Sequence, residues 1–304
     1  AEAFDREMID KTISYLENGG TPDVLTVYFM GLDHVSYHEG PGAQRDYLSR
    51  VIDPLLGKLM VALEQIDFLQ QALIVIVSDH GQSEVVPDDH HSLRLSYPFD
   101  REMGHLFDAL GLDVNDKPRE GPGTNAVVAA NGGMAHIYLR DRNRSWSNPP
   151  NFNGNVMRVA RAFWEAHETG KYAVEIKNSL ALVLVRDVQH EGWQADYHAL
   201  LPSGALAEFS GWLDLHPEFH MVNGAERIAQ LVGPVSGDIL LVSNYRDKFY
   251  FSGLTVGVHG GLNSDDSLAV ASFGLPGASA DQMSFLLDAV HSVSTRDGSN
   301  ASTH

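Results

Sequence analysis

Three short stretches hold the residues that could do chemistry. They are Asp33-His34-Val35-Ser36-Tyr37-His38-Glu39-Gly40-Pro41, Ser78-Asp79-His80-Gly81 and His259-Gly260-Gly261. Carboxylate and imidazole together are the donors that Zn²⁺, Mn²⁺ and Fe take. A lone Asp-His pair is most simply a hydrogen-bonded turn. Two such pairs, each just after an apolar run, plus a His among glycines, favour a metal-dependent hydrolase site. Two metal ions can hold the attacking and leaving oxygens of an in-line phosphoryl displacement.

The elements that must position these residues follow from the apolar pattern. Phe4, Met8, Ile9, Ile13 and Leu16 recur at helical spacing, and Gly19-Gly20 stop that helix. Val24 to Met30 and Ala72 to Val77 are short, apolar and rich in β-formers, which predicts buried strands ending near Asp33 and Asp79. In open α/β sheets ligands bind outside the carboxyl ends of strands. A helix is predicted from Ala43 to Ile66, with a kink or break at Pro54.

Beyond a polar, turn-rich stretch from Asp88 to Gly123, with an amphipathic segment from Arg101 to Leu110, strands are predicted at Asn125 to Ala130, Met134 to Leu139 and Leu180 to Arg186. A helix is predicted from Val156 to His167, and a hairpin through Pro202-Ser203-Gly204. Asp238 to Ser243 and Ser267 to Phe273 return to buried-strand character, and a last helix starts near Ala280. Continuous apolar strands alternating with helices predict an α/β class, an α/β/α sandwich with a mostly parallel sheet and an inserted small α+β lobe. The expected division is a metal-binding core over residues 1–100 and 235–304, with the lobe over residues 101–234.

Composition narrows the partners. The chain has 304 residues, 43% hydrophobic and 20% charged, enough for a sizeable core. Its formal net charge of -19 disfavours a nucleic-acid or anionic-membrane partner. A small anionic substrate is compatible with it, because bound cations reverse the local field. With no cysteine, disulfides, thiolate ligands and a Cys nucleophile are excluded. No apolar run reaches the roughly 18 residues of a membrane span.

The order Asp33…Gly40-Pro41, then Ser78-Asp79-His80-Gly81, then Val258-His259-Gly260 resembles the alkaline phosphatase superfamily, in its nucleotide pyrophosphatase/phosphodiesterase branch. The resemblance extends to the helix before Pro22-Asp23, to Gly31-Leu32-Asp33 and to Asp238-Ile239. It implies hydrolysis of phosphate mono- or diesters with two divalent metal ions, Zn first and Mn or Fe as substitutes. Asp33, a His just after it, and His259 would hold one ion, and Asp79 and His80 would help hold the second. The family His falls four residues after the Asp. Tyr37 stands there, so His38 is the expected ligand and His34 the fallback.

The family also places a metal-binding Asp and a Ser or Thr nucleophile well upstream of the Asp33 motif. Only 32 residues precede Asp33. The expectation is therefore that the nucleophile lies outside these residues, on an upstream segment of the same polypeptide. The rival reading is a non-catalytic metal-binding or interaction protein that lost the nucleophile segment. Asp89-His90-His91 could line the same cleft, though a capped turn explains it equally well. His136 reads as a packed strand residue, and Asp265-Asp266 as a turn or cap.

Overall fold

A computed structural model describes residues 1–20, 22–95, 101–115, 124–141, 145–251 and 253–296. Parts of the turn-rich stretch predicted between Asp88 and Gly123 lie outside them. In chain order the helices are α1 (Glu2–Glu17), α2 (Gly31–Glu39), α3 (Gln44–Tyr47), α4 (Asp53–Gln65), α5 (Glu102–Ala109), α6 (Met157–Thr169), α7 (Val188–Glu191), α8 (Phe209–Leu215), α9 (Gly224–Gln230), α10 (Ser264–Ser267) and α11 (Ala280–Arg296). The strands are β1 (Ile74–Val77), β2 (Ser83–Glu84), β3 (Val114–Asn115), β4 (Ala126–Asn131), β5 (Met134–Leu139), β6 (Leu180–Val185), β7 (His198–Leu200), β8 (Leu206–Glu208), β9 (Ile239–Ser243), β10 (Gly257–Val258) and β11 (Ala271–Gly274). No helix among the described residues is long and apolar enough to cross a membrane.

The chain divides into two compact units. One comprises Ala1–Val35, Gln44–Asp79 and the described residues of Ala269–His304; the other comprises Ser36–Ala43 and His80–Leu268. In the first unit α1 meets α4, and Ile9 of α1 clusters with Tyr47, Val51, Ile52 and Leu55 along the chain that runs from α3 into α4. The predicted break at Pro54 is a π-helical turn over Leu48–Ile52, immediately before α4, where Pro54 occupies a first-turn position. A proline lacks the N–H that a helix interior needs, and the first turn is where that loss is tolerated.

Two predictions in this unit are corrected. Residues 24–30 join no described ladder, and Val24 and Tyr28 are 83% and 61% exposed. Of these residues only Val27 and Phe29 pack on the Ile9 cluster. β1 forms as predicted but is not buried. It pairs antiparallel with β11, and Val75, Ile76 and Val77 are exposed. Residues 271–274 form β11, and Val270 just before them is exposed too. An apolar, β-branched run encodes a strand, but burial needs covering elements on its faces.

The Asp33 motif, expected at a strand end, is the helix α2. Its N-terminus is held by Asp5, a fully buried carboxylate. Asp5 accepts hydrogen bonds from the backbone N–H of Met30 (3.1 Å) and Gly31 (3.2 Å), and from the Tyr47 hydroxyl (2.7 Å). A carboxylate there satisfies orphan N–H groups and matches the positive end of the helix dipole. The Tyr47 phenol is pushed up by burial and by the adjoining Asp5 carboxylate.

The second unit is built on a seven-stranded sheet of order β3-β4-β5-β9-β6-β7-β8. The fold class is α/β, and the sheet is mixed: β3 and β4 pair parallel, and the other ladders of this sheet are antiparallel. Alternation along β6 and β9 feeds two cores. Val183, Val185, Ile239 and Leu241 pack with Phe107 of α5 and Phe163 of α6. Leu182, Leu184, Leu240 and Val242 pack with Trp212 of α8 and Ile228 of α9. Helices on both faces are why these strands read as continuous apolar runs. A continuous run reports burial on both sides, while strand direction is set by the connections.

Candidate metal centre

Within the second unit, the segment from His80 to Glu84 lies beside Gly257–Val258. β2 and β10 pair antiparallel, with Val258 opposite Ser83 and Gly257 opposite Glu84. This short ladder brings His80 and His259 together. Their rings stack with centroids 3.8 Å apart and planes within 20°. His80 Nδ1 lies 2.9 Å from its neighbour's carbonyl, Gly81 O. A neutral His80 donating there carries its lone pair on Nε2.

Two glycines make the close approach feasible. The Gly81 N–H donates to Asp266 O at 2.8 Å, and a Cβ on Gly81 would sit 2.0 Å from Asp265 O. Gly260 has φ +92, a conformation L side chains rarely adopt, and a Cβ there would meet Asn131 at 2.6 Å. The Asn131-Gly132-Gly133 turn therefore backs the His259 loop as well as joining β4 to β5. Gly133 N–H donates to His259 O at 3.1 Å.

Asp266, predicted as a turn residue, anchors this loop. Its buried Oδ2 accepts from Gly261 N–H at 2.7 Å, and Oδ1 accepts from the Ser83 hydroxyl. Burial lifts its carboxyl above the ordinary value, against the pull of Ser83, Gly261 and His259. Asn263 Oδ1 accepts from the N–H groups of Asp265 and Asp266 and so caps α10. Arg227 of α9 donates to Gly261 O at 3.2 Å. Ser83, Asn263, Asp266 and Arg227 were missed as supporting residues. For Ser83, Asn263 and Asp266 the only sequence signal is proximity to the two His motifs; Arg227, far from both in sequence, carries none.

The α2 residue that meets His259 is Tyr37. Its hydroxyl lies 3.0 Å from His259 Nε2, and the rings meet edge to face at 5.6 Å. The Tyr37 carbonyl accepts from Val256 N–H and the Thr255 hydroxyl, at 2.9 and 2.6 Å, binding the helix to the chain that leads into His259. His34 and His38 are both exposed. One residue of helix turns the side chain by about 100°, so His38 points well away from Tyr37's direction. In the first unit, Asp33 is half-buried in the first turn of α2, and Asp79 is exposed just past β1. Asp33 and Tyr37 stand four residues apart on one helix face.

Asp88-Asp89-His90-His91 forms a capped turn. Asp88 Oδ1 accepts from the His90 and His91 N–H groups and lies 2.7 Å from His91 Nδ1. His136 is half-buried on β5, and burial lowers its pKa.

Residues 1–261 match the family described as type I phosphodiesterase / nucleotide pyrophosphatase. The chain belongs to that family. No curated relative matches it. Among solved structures, it is similar to human ectonucleotide pyrophosphatase / phosphodiesterase 5, with 13% identity and a TM-score of 0.48. That match covers 90% of this chain and 52% of the other, so this family member spans about half the length of that protein.

Proposed function

We propose that this chain carries the cation-binding part of a phosphoesterase acting on small phosphate mono- or diesters. The proposed ligand set is Asp33, Asp79, His80 and His259, with His38 as the fifth member, for two divalent ions, zinc first and manganese or iron as substitutes. His38 is exposed and leaves α2 about 100° round from Tyr37, so it is the member the geometry favours least. The observation that carries the reading is the stacked pair His80 and His259, set by a two-strand ladder and backed by glycines that admit no side chain. Imidazole lone pairs beside carboxylates suit these ions. When bound, the ions would supply positive charge for a phosphoryl group. The chain's own residues orient the imidazoles, and Asp266 with Asn263 holds the Gly261 loop in place.

The attacking hydroxyl, in this reading, comes from an upstream segment of the same polypeptide, which would also cover β1 and β11. Exposed Val75, Ile76 and Val77 support that cover. The alternative is a non-catalytic metal-binding protein, and Tyr37 at the His259 ring is the observation in its favour.

The test is metal content and turnover of the full-length protein. Purified protein is expected to hold zinc by elemental analysis and to hydrolyse bis(p-nitrophenyl) phosphate. His259→Ala is expected to lower zinc occupancy, and a His80→Ala, His259→Ala double variant to abolish it. Full retention in the double variant would sink the ligand assignment. Zinc binding without turnover of any phosphate ester would favour the non-catalytic alternative. His38→Ala is the discriminating single change. Its exposure predicts a smaller loss than His259→Ala.

A further inference from the structure

We propose that Tyr37 is the positioning residue of His259 and fixes which of its ring nitrogens faces a cation. The inference rests on the cation-binding role of His259 argued above.

The geometry is local to the second unit. Tyr37 Oη lies 3.0 Å from His259 Nε2, a hydrogen-bond distance, and the rings meet edge to face. The bond has two directions. If the phenol donated, it would consume the Nε2 lone pair and leave Nδ1 carrying the proton. His259 would then present no lone pair. If His259 donates from Nε2–H to the phenol oxygen, Nδ1 carries the lone pair. A ligating histidine ordinarily donates its other ring N–H to a fixed acceptor, which locks tautomer and ring orientation. Tyr37 is that acceptor here, in the role a carboxylate or backbone carbonyl more often fills.

Its placement is rigid enough for the task. The Tyr37 carbonyl is held by Val256 N–H and Thr255 Oγ1, both just upstream of His259. The phenol is half-buried. The neighbouring imidazole is oriented in the opposite sense. His80 Nδ1 pairs with Gly81 O, which puts its lone pair on Nε2. The stacked rings would thus offer Nε2 from His80 and Nδ1 from His259. Tyr37, occupying the place where the family resemblance puts an imidazole, acts through His259 and is not itself a ligand.

The experiment uses full-length protein with ¹⁵N-labelled histidine. Zinc affinity is measured by competition with a chromophoric chelator for wild type, Tyr37→Phe and Tyr37→Gln. In metal-free wild type, the proton of His259 is expected on Nε2. On adding zinc, the shift change is expected at His259 Nδ1. Tyr37→Phe is expected to lose about 10- to 100-fold in zinc affinity, the usual cost of losing such an acceptor. Tyr37→Gln, which restores an oxygen acceptor, is expected to recover part of it, and keeps the test open if the Phe variant does not fold. Unchanged affinity in both variants would overturn the proposal. So would a zinc shift at Nε2, or a phenolate-to-metal charge-transfer band with ferric iron that vanishes in Tyr37→Phe. If wild type binds no zinc, the cation reading fails instead. The metal-free spectra still decide the inference, because Nδ1–H in wild type refutes it.

Discussion

At the scale of single residues, the candidate centre depends on atoms that a side chain would displace. Gly81 is the sharpest case. Its N–H donates to Asp266 O, and any Cβ would fall 2.0 Å from Asp265 O, a backbone atom that cannot swing aside. Gly81→Ala must therefore move His80 or α10. A stability loss of about 1–3 kcal/mol is expected, the range for a substitution that forces backbone to shift. Zinc affinity should fall with it, since His80 is the next residue. Urea unfolding and a zinc titration on the same variant check both. Unchanged values would mean the two segments are not tied together as described. The types of residue at His80 and His259 were legible from the sequence. The roles of Ser83, Asn263 and Asp266 were not, because a polar residue near a motif reads equally well as a solvated turn.

At the scale of elements, α2 decides what the first motif presents. Its face was invisible while the segment read as a strand end. Once Gly31–Glu39 is helical, Asp33 and Tyr37 share a face and the exposed His34 and His38 share another. The helix is held at its start by Asp5, which satisfies N–H groups of Met30 and Gly31 from 25 and 26 residues away. Asp5→Ala would leave those donors and the Tyr47 hydroxyl without that acceptor. The expected cost is about 1–3 kcal/mol. Asp5→Asn, which keeps an acceptor oxygen, should cost less. Thermal melting of the two variants is the check, and equal melting points for Asp5→Ala and the parent would remove Asp5 as the cap. Elsewhere the helical periods of α1, α5, α6 and α11 and the apolar runs of β5, β6 and β9 were readable, because their patterns repeat within a few residues.

At the scale of the whole molecule, the sheet of the second unit buries charge as well as apolar surface. Arg186, fully buried, donates to the carbonyls of Trp193, Gly233, Ser236 and Gly237. Asp238, also buried, accepts from Leu139 N–H at 2.7 Å. Burial lifts its carboxyl from the ordinary 3.8 to about 6, against the pull of that N–H and of Arg186. A carboxyl that holds its proton more tightly in the fold stabilises the fold below about pH 4, and that stabilisation is lost as pH rises through about 6. The linkage amounts to about 3 kcal/mol at neutral pH. Asp238→Asn removes the titration and keeps an acceptor for Leu139. Its stability relative to the parent should therefore improve between pH 4 and pH 7. Urea midpoints at the two pH values test this, and a pH-independent difference would mean Asp238 is not held protonated.

By itself, the sequence determined the chemical identity of the motifs, the family, and the elements whose patterns are local. Those properties are written in neighbours within one or two helical turns, or in alternation along a strand. Tertiary structure alone decided which residues meet. Tyr37 rather than His38 reaches His259 across 222 positions, because Thr255 and Val256 hold the Tyr37 carbonyl beside the chain that leads into His259, and the spacing within the motif says nothing of that contact. It also decided that β1 is exposed while β6 and β9 are buried, although all three are apolar and β-branched or leucine-rich. Strand tendency belongs to the residues themselves. Burial belongs to whatever folds against them, and that is settled by chain far away in sequence.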